Sequence, residues 1–149
     1  AWVAQAGGFR VTGGAAVSTA SGASVATLRS GVAAGSQRAY VALGTGRSVG
    51  LVARHSGPGD QSMVVVQLTR VRARYVVQIL QHAAGQWRVL STGRANAGRG
   101  WLRLDVVGGQ LTARFNGRVV ARALDFSPAG SVGIRTVGLG ARVEAYAAE

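Results

Sequence analysis

The sequence predicts an all-β fold, in which the strands form either a sandwich or a closed barrel. Three observations support this prediction: short runs rich in Val, Leu, Thr, Tyr and Trp, a period of two in their apolar residues, and 23 glycines that separate the runs. Successive side chains of a strand point to opposite faces, so this period indicates strands with one buried face. The Ala-rich stretch 15–34 is the best helical alternative, but Gly22, Gly31 and its Ser, Thr and Val content disfavour a helix.

The predicted strands follow one another with short gaps. They cover Gly8–Thr12, Ala15–Thr19, Ser24–Arg29, Arg38–Leu43, Ser48–His55, Ser62–Thr69, Arg72–Gln81, Gln86–Ser91, Gly100–Val106, Gln110–Phe115, Arg118–Leu124, Gly130–Val137 and Ala141–Tyr146. The two prolines, Pro58 and Pro128, fall in predicted turns between strands.

Two hairpins are indicated directly by turn residues. Asn116-Gly117 lies between two apolar runs, and Asn-Gly is the preferred pair for a type I′ turn, in which both residues need positive φ. Gly108-Gly109 is a second two-residue turn of the same kind. Residues 100–124 are therefore predicted to form a three-stranded antiparallel meander.

Size and composition predict one folded domain over residues 1–149. Hydrophobic residues make up 48% of the chain and charged residues 15%, which is the balance of a folded protein and not of a disordered one. No repeat of fixed period and no linker-like segment divides the chain. No stretch approaches the roughly 18 consecutive apolar residues of a membrane helix, so membrane insertion is not expected. The absence of cysteine excludes disulfides and thiolate metal sites.

The net charge of +12 comes entirely from arginine, since all 17 basic residues are Arg. Excluding Lys while using Ala, Gly, Val and Arg heavily is typical of a GC-rich genome, so part of the charge reflects codon bias. Whatever its origin, the charge attracts anions, and this attraction weakens as salt is added.

Four segments, taken in order, resemble the concanavalin A-like, laminin-G-like jelly-roll domains of bacterial surface and secreted proteins. These segments are Trp2 with the strand and glycine turn up to Gly14, the Gly50–His55 strand with its 57–60 loop, the tryptophan-marked meander from Gly85 to Gly117, and the closing strands 130–146. The resemblance implies a two-sheet antiparallel jelly-roll sandwich with one concave sheet. It also implies an extracellular or cell-surface location and a role in binding glycans or proteins.

Some members of this group hold calcium, and many place an aromatic residue where this chain has Met63. Calcium is usually bound by about six to eight oxygen ligands, several of them carboxylates. Acidic residues are too scarce here to predict such a site, so no cofactor is expected.

Candidate catalytic residues do not form a convincing set. Ser48 lies in a G-x-S-x-G pattern, which in hydrolases joins a strand to a helix, whereas here the serine begins a strand. His55 and His82 are too few for a zinc site. Glycoside hydrolysis needs two carboxyl groups held close together. The carboxylates of this chain are isolated in sequence: Asp60, Asp105, Asp125, Glu144 and Glu149. Asp105 is expected to be solvated or paired with an arginine, and the sequence predicts no enzyme.

The larger aromatic residues are predicted to be mainly structural. Trp87 shares strand parity with Val89, and Trp101 opens a strand of the predicted meander. Both are therefore expected in the core. Trp2 is expected to cover an edge of the fold.

The arginines form the candidate ligand-binding set. Arg70, Arg72 and Arg74 alternate with apolar residues and would share one face of a strand, unless a turn falls within the segment. Arg118 and Arg122 would share a face with Val120, while Arg54 is expected to emerge from an apolar face. Guanidinium groups bind carboxylate, sulfate and phosphate through paired hydrogen bonds. The alternative is a solvated sheet face in a chain without Lys.

These features favour a non-catalytic extracellular module that binds glycans or acidic polysaccharides. The alternative is a structural or adhesive module that assembles with itself or with sibling domains through strand edges. Specific nucleic-acid binding is not expected, because the chain has no helix-turn-helix, zinc finger or RNA-recognition motif.

Overall fold

The computed structural model describes residues 2–28 and 35–149, and in these ranges every regular element is a β-strand. The strands are β1 (Trp2–Ala6), β2 (Phe9–Thr12), β3 (Ala15–Ser18), β4 (Ala23–Leu28), β5 (Ser36–Ala42), β6 (Ser48–Ser56), β7 (Ser62–Val71), β8 (Arg74–Ala83), β9 (Gln86–Ala95), β10 (Arg99–Val107), β11 (Gln110–Phe115), β12 (Arg118–Leu124), β13 (Ser131–Val137) and β14 (Arg142–Ala148). No helix in the described residues is long and apolar enough to cross a membrane.

The strands form two antiparallel sheets of seven strands each, so the predicted two-sheet jelly-roll sandwich is confirmed. Sheet A has the order β1-β4-β13-β6-β7-β8-β9, and sheet B has the order β12-β11-β10-β5-β14-β3-β2. Strands β6 to β9 form a continuous meander in sheet A, and β10 to β12 form the predicted meander in sheet B. The edge strands are β1 and β9 in sheet A and β12 and β2 in sheet B.

The main core lies between the sheets and follows the alternation of the strands. On β7, Val64, Val66 and Leu68 point inward and are fully buried. They pack with side chains of sheet B such as Leu102 and Leu104. Burial of this apolar surface is the main driving force for closing the sandwich.

A second apolar cluster lies on the outer face of sheet A. It consists of Val25, Val52, Met63, Val65 and Leu80. Because Val65 alternates with Val64 and Val66, its side chain points away from the main core, yet it is fully buried. Sheet A is therefore apolar on both sides at its centre.

Most sequence-predicted strands match the observed ones to within a few residues. The strand β1 was not predicted, and Arg29 of the predicted strand Ser24–Arg29 lies outside the described residues. The Asn116-Gly117 hairpin has positive φ at both residues, 49° and 83°, as a type I′ turn requires. At the second hairpin, positive φ is found at Gly108 and not at Gly109.

Candidate functional site

The arginine-rich segment 70–74 contains a turn, so the row expected from strand alternation is not formed. Val71 pairs with Arg74 across the β7–β8 hairpin, and Arg72 lies in the two-residue turn with a φ of 57°. Arg70 instead contacts Tyr75: its guanidinium lies 5.3 Å from the ring centroid, and Nη2 donates to the hydroxyl at 3.3 Å. All three arginines remain exposed, and their ligand-binding role stays a prediction.

The prediction that Arg118 and Arg122 share one face of β12 is wrong. Arg122 pairs with Thr112 and Arg118 pairs with Phe115, and these two partners point to opposite sides of β11. The alternation breaks at Val120, which is skipped in the pairing between β11 and β12, as in a β-bulge. Arg118 therefore faces the sandwich edge, while Arg122 faces outward from sheet B.

Arg54 occupies a bulge with a φ of 55° and lies at the end of the sandwich. Its guanidinium forms a salt bridge to Asp125 and donates to the carbonyl oxygen of Gly108 at 3.1 Å. The Arg54 side chain is 13% exposed and that of Asp125 is fully buried. These contacts connect sheet A to two loops of sheet B, which favours a structural role over the predicted ligand-binding one.

Asp125 is the best-satisfied carboxylate of the chain. It also accepts hydrogen bonds from Gln81 Nε2 at 2.6 Å and from the Ser127 hydroxyl. Burial by itself raises the pKa of Asp125, but the hydrogen bonds from Ser127, Arg54 and Gln81 outweigh burial and lower it below its usual value. Asp125 is therefore held ionised by its surroundings.

The outer face of sheet A carries the most developed group of polar and aromatic side chains. Trp87 on β9 is 40% exposed, so its predicted place in the core is wrong. Its ring stacks on His82 of β8, with centroids 4.1 Å apart and an interplanar angle of 12°. The guanidinium of Arg135 on β13 lies 4.6 Å from the centroid of the Trp87 ring.

This contact shows that the outer face of sheet A is concave. Strands β13 and β9 are separated by β6, β7 and β8. In a flat sheet they would lie about 19 Å apart, which is more than the side chains of Arg135 and Trp87 span. The sheet therefore curves and brings the two side chains together.

Arg135 is fixed in place by Asp60. Arg135 Nε donates to Asp60 Oδ1 at 2.8 Å and Nη2 donates to Oδ2 at 2.9 Å, a bidentate pair between β13 and the β6–β7 loop. The Arg135 side chain is 10% exposed and that of Asp60 is 22% exposed. The pair holds the guanidinium against Trp87, so no large rearrangement is needed to present the two groups together.

Beside this group the concave face has a depression of about 240 Å³, which we call the Trp87 depression. Leu80, Gln67 and Ser48 lie on its strands β6 to β8, and Trp87, Arg135, Arg47 and Val137 complete its lining. The site thus combines the apolar side chain of Leu80 and the indole of Trp87 with guanidinium groups and the amide of Gln67.

In the described part of the chain, Ser48 does not have the partners of a hydrolase nucleophile. The hydroxyl of Ser48 is buried and forms its hydrogen bond with Thr69 Oγ1 at 2.8 Å, not with a histidine. Ser48 begins strand β6, as the sequence predicts, and no helix follows it. In the described ranges, no three His, Asp or Glu side chains come together in a way that could hold a metal ion.

The outer face of sheet B carries a second exposed tryptophan. Trp101 is 43% exposed, contrary to its predicted burial, and meets Tyr40 edge-on at 5.6 Å. Asp105 lies on the same face and bridges Arg103 and Arg114, which confirms its expected pairing with arginine.

Comparisons with known proteins show the fold and not the family. No protein-family model matches the chain, and no curated protein matches it. A carbohydrate-binding module, CBM66 from Bacillus subtilis, superimposes with a TM-score of 0.86 at 13% identity, covering 99% of this chain and 94% of that one. A legume lectin-like domain from Entamoeba histolytica gives 0.67 at 12% identity over 99% and 89% of the two chains.

A longer protein also contains a similar unit. The GH43 protein BlXynB from Bacillus licheniformis gives a TM-score of 0.62 at 14% identity, over 84% of this chain but 29% of that protein. These similarities confirm a concanavalin A-like sandwich fold.

Proposed function

We propose that this protein is a non-catalytic glycan-binding module that acts outside the cell, at a cell surface or in a secreted protein. The observation that carries the proposal is the Trp87 depression: an exposed indole beside a guanidinium that Asp60 already holds in position. Two structural neighbours are named as a carbohydrate-binding module and a lectin-like domain, which supports the same function for this chain.

The chemistry of the depression suits a sugar ring. Trp87 and Leu80 offer apolar surface for the C–H groups of a pyranose or furanose, and amphipathic tryptophan is well suited to such contacts. Arg135 and Gln67 offer hydrogen-bond donors to hydroxyl groups. Preorganisation by the Asp60 pair reduces the entropy lost on binding.

Acidic polysaccharides belong within the proposed ligand range. The net charge is +12, and Arg47 contributes a further guanidinium to the lining of the depression. Coulomb attraction then raises the local concentration of an acidic chain, and its effect falls as salt is added. The narrower resemblance to laminin-G-like domains of bacterial surfaces stays a prediction.

The proposal is tested by a glycan array followed by titration calorimetry with the best ligand. Trp87→Ala is expected to lower affinity by at least about tenfold, since the apolar contact of the exposed part of the indole and the packing of Arg135 against the ring are lost. Trp101→Ala is the matched control, because Trp101 is equally exposed but lies on the opposite sheet. Equal affinities of the two variants would contradict the assigned site, and no binding to any arrayed glycan would contradict the function.

The sequence-predicted arginines at positions 70, 72 and 74 have a separate test. Replacing all three with Gln is expected to weaken binding of a sulfated or uronic polysaccharide at low salt, because three exposed positive charges are removed. Binding of a neutral glycan should be unchanged. If the acidic chain binds the variant as tightly as the parent at low salt, the hairpin has no part in recognition.

Assembly between copies is a second candidate function. The edge strand β9 carries exposed Val89, 52% accessible, and an open edge can pair with another strand. Light scattering at rising protein concentration measures this directly. A constant monomer mass at millimolar concentration would contradict assembly.

A further inference from the structure

A separate cleft lies at the sandwich edge where strand β9 of sheet A meets strand β12 of sheet B. Its volume is about 560 Å³, more than twice that of the Trp87 depression. Arg94, Asn96, Asn116 and Arg118 supply its polar lining, and Phe115 and Val120 lie beneath them. We call it the edge cleft.

Two backbone features build the edge cleft. At Gly93, a Cβ atom would lie 1.8 Å from the carbonyl oxygen of Val120, so only glycine lets the two edge strands approach this closely. The bulge at Val120 then turns Arg118 away from the outer face of sheet B and towards the cleft. The cleft is therefore a consequence of specific residues and not of loose packing between sheets.

Most of the polar groups that line the cleft are hydrogen-bond donors. Asn116 Oδ1 accepts a hydrogen bond from the backbone N–H of Trp101 at 2.8 Å, which fixes the amide and leaves its NH₂ group as a donor. Arg94 and Arg118 are exposed, and neither has an acidic partner among the described residues. A ligand or water can supply the acceptors for these groups.

Four of the five acidic residues are engaged elsewhere: Asp60, Asp105, Asp125 and Glu144 each form a salt bridge with an arginine outside the cleft. The fifth, Glu149, lines a different depression beside Arg38 and Arg103. The β7–β8 hairpin, which adjoins Arg94 through the pairing of β8 with β9, adds the exposed Arg74. The electrostatic potential of the cleft is therefore positive, since none of its lining residues in the described part of the chain is acidic.

We propose that the edge cleft binds an acidic group, a carboxylate or a sulfate, of a glycan chain that also occupies the Trp87 depression. Two guanidinium groups and amide donors match the paired oxygens of such an anion. Trp87 of the depression and Arg94 of the cleft are seven residues apart on β9, which is about 20 Å along the strand. Several sugar units in one chain are needed to span this distance. The ligand is thus an acidic oligosaccharide and not a single sugar. The part of this inference that places the same glycan in the Trp87 depression rests on the proposed glycan-binding function.

The first test uses inorganic sulfate alone and is independent of any glycan. Sulfate is titrated into isotope-labelled protein while the Nε–H signals of the arginines are followed by nuclear magnetic resonance. Arg94 and Arg118 are expected to shift with saturation, and Arg122, an exposed arginine on the outer face of sheet B, should not. Uniform small shifts of all exposed arginines would show only non-specific screening and would overturn the site.

The second test compares acidic and neutral chains. The double variant Arg94→Gln, Arg118→Gln is expected to bind a uronic or sulfated oligosaccharide about tenfold or more weakly, since two charge-assisted contacts are lost. It should bind the neutral counterpart unchanged, and Arg122→Gln should bind both as the parent does. A double variant with parental affinity for the acidic chain would refute the proposal. Tighter, cleft-dependent binding of single-stranded nucleic acid would also refute it, in favour of a phosphate backbone.

These outcomes separate the two proposals. If Trp87→Ala binds glycans normally while the double variant no longer binds the acidic chain, the Trp87 depression is not the glycan site and the assignment of the edge cleft as an anion site is supported. If Trp87→Ala loses both chains and the double variant loses neither, the proposed function stands without the cleft.

Discussion

Replacing Asp125 by Asn tests whether the buried ion pair at the sandwich end holds the two sheets together. The substitution keeps the shape but leaves the Arg54 guanidinium without its counterion. Removing one partner of a buried ion pair lowers the free energy of unfolding by about 3–5 kcal/mol. Arg54 is 13% exposed and keeps its hydrogen bond to the Gly108 carbonyl oxygen. We therefore expect the free energy of unfolding to fall by the lower end of this range, about 3 kcal/mol. For 149 residues this corresponds to a fall in Tm of about 10 °C.

The stabilisation that ionised Asp125 provides depends on pH in a direction that the experiment can check. The pKa of Asp125 is lower in the folded protein than in the unfolded chain, so its stabilisation is fully present above the ordinary value of 3.8. It is lost as the pH falls through the folded-state pKa. Thermal unfolding followed by circular dichroism should therefore show a gap between parent and Asp125→Asn at pH 7 that narrows in acid.

Asp105→Asn is the control for this experiment. Its arginine partners are 46% and 37% exposed, so the loss should stay below about 1 kcal/mol. An Asp125→Asn protein as stable as the parent at pH 7, or a gap that does not change with pH, would refute the assignment of Asp125 as an ionised, structural carboxylate.

Two further substitutions test how the edge cleft is built. Gly93→Ala should lose about 1–3 kcal/mol of stability in denaturant unfolding, because its Cβ would overlap a β12 carbonyl oxygen. Gly22→Ala, where a Cβ meets nothing within 4 Å, should lose little, and similar losses in both would contradict the close approach. Asn116→Ala should lose about 1–2 kcal/mol, from its φ of 49° and the lost acceptor for a backbone N–H. Asn116→Gly should recover the part of the lost stability that comes from positive φ, because glycine adopts this conformation without strain. A glycine variant less stable than the alanine variant would therefore argue against a strained turn.

Strand positions were largely predictable, because the alternation of apolar and polar residues and the glycines between strands are local properties of the chain. The Asn116-Gly117 turn was predictable for the same reason, since positive φ at both residues favours that pair. The β7–β8 turn was not, because Arg72-Ala73 carries no glycine or proline although Arg72 has a φ of 57°. The predicted arginine row failed at that point.

The tryptophans show why alternation alone could not locate the site. Trp87 and Val89 do share a face, as their parity indicates, but both lie on the outer side of β9. On β7 of the same sheet, Val64 and Val65 are both fully buried, so apolar character does not distinguish the inner face of sheet A from the outer one. Local sequence therefore gave no signal that this tryptophan would be exposed.

The partner that completes the candidate site is distant in sequence. Arg135 and Asp60 are 75 residues apart and meet only because β13 lies beside β6 in sheet A. Neither residue belongs to a local motif, and a single sequence gives no measure of which distant positions are coupled. The curvature that carries Arg135 to Trp87 is likewise a property of the assembled sheet.

The most direct measurement is a titration of the isotope-labelled protein with its best arrayed glycan, observed through the indole N–H signals of Trp2, Trp87 and Trp101. Trp87 is the only one of the three that lines the depression, so its signal alone should move and saturate. A saturating shift of Trp101 or Trp2 with Trp87 unmoved would place the ligand elsewhere and contradict the concave-face site.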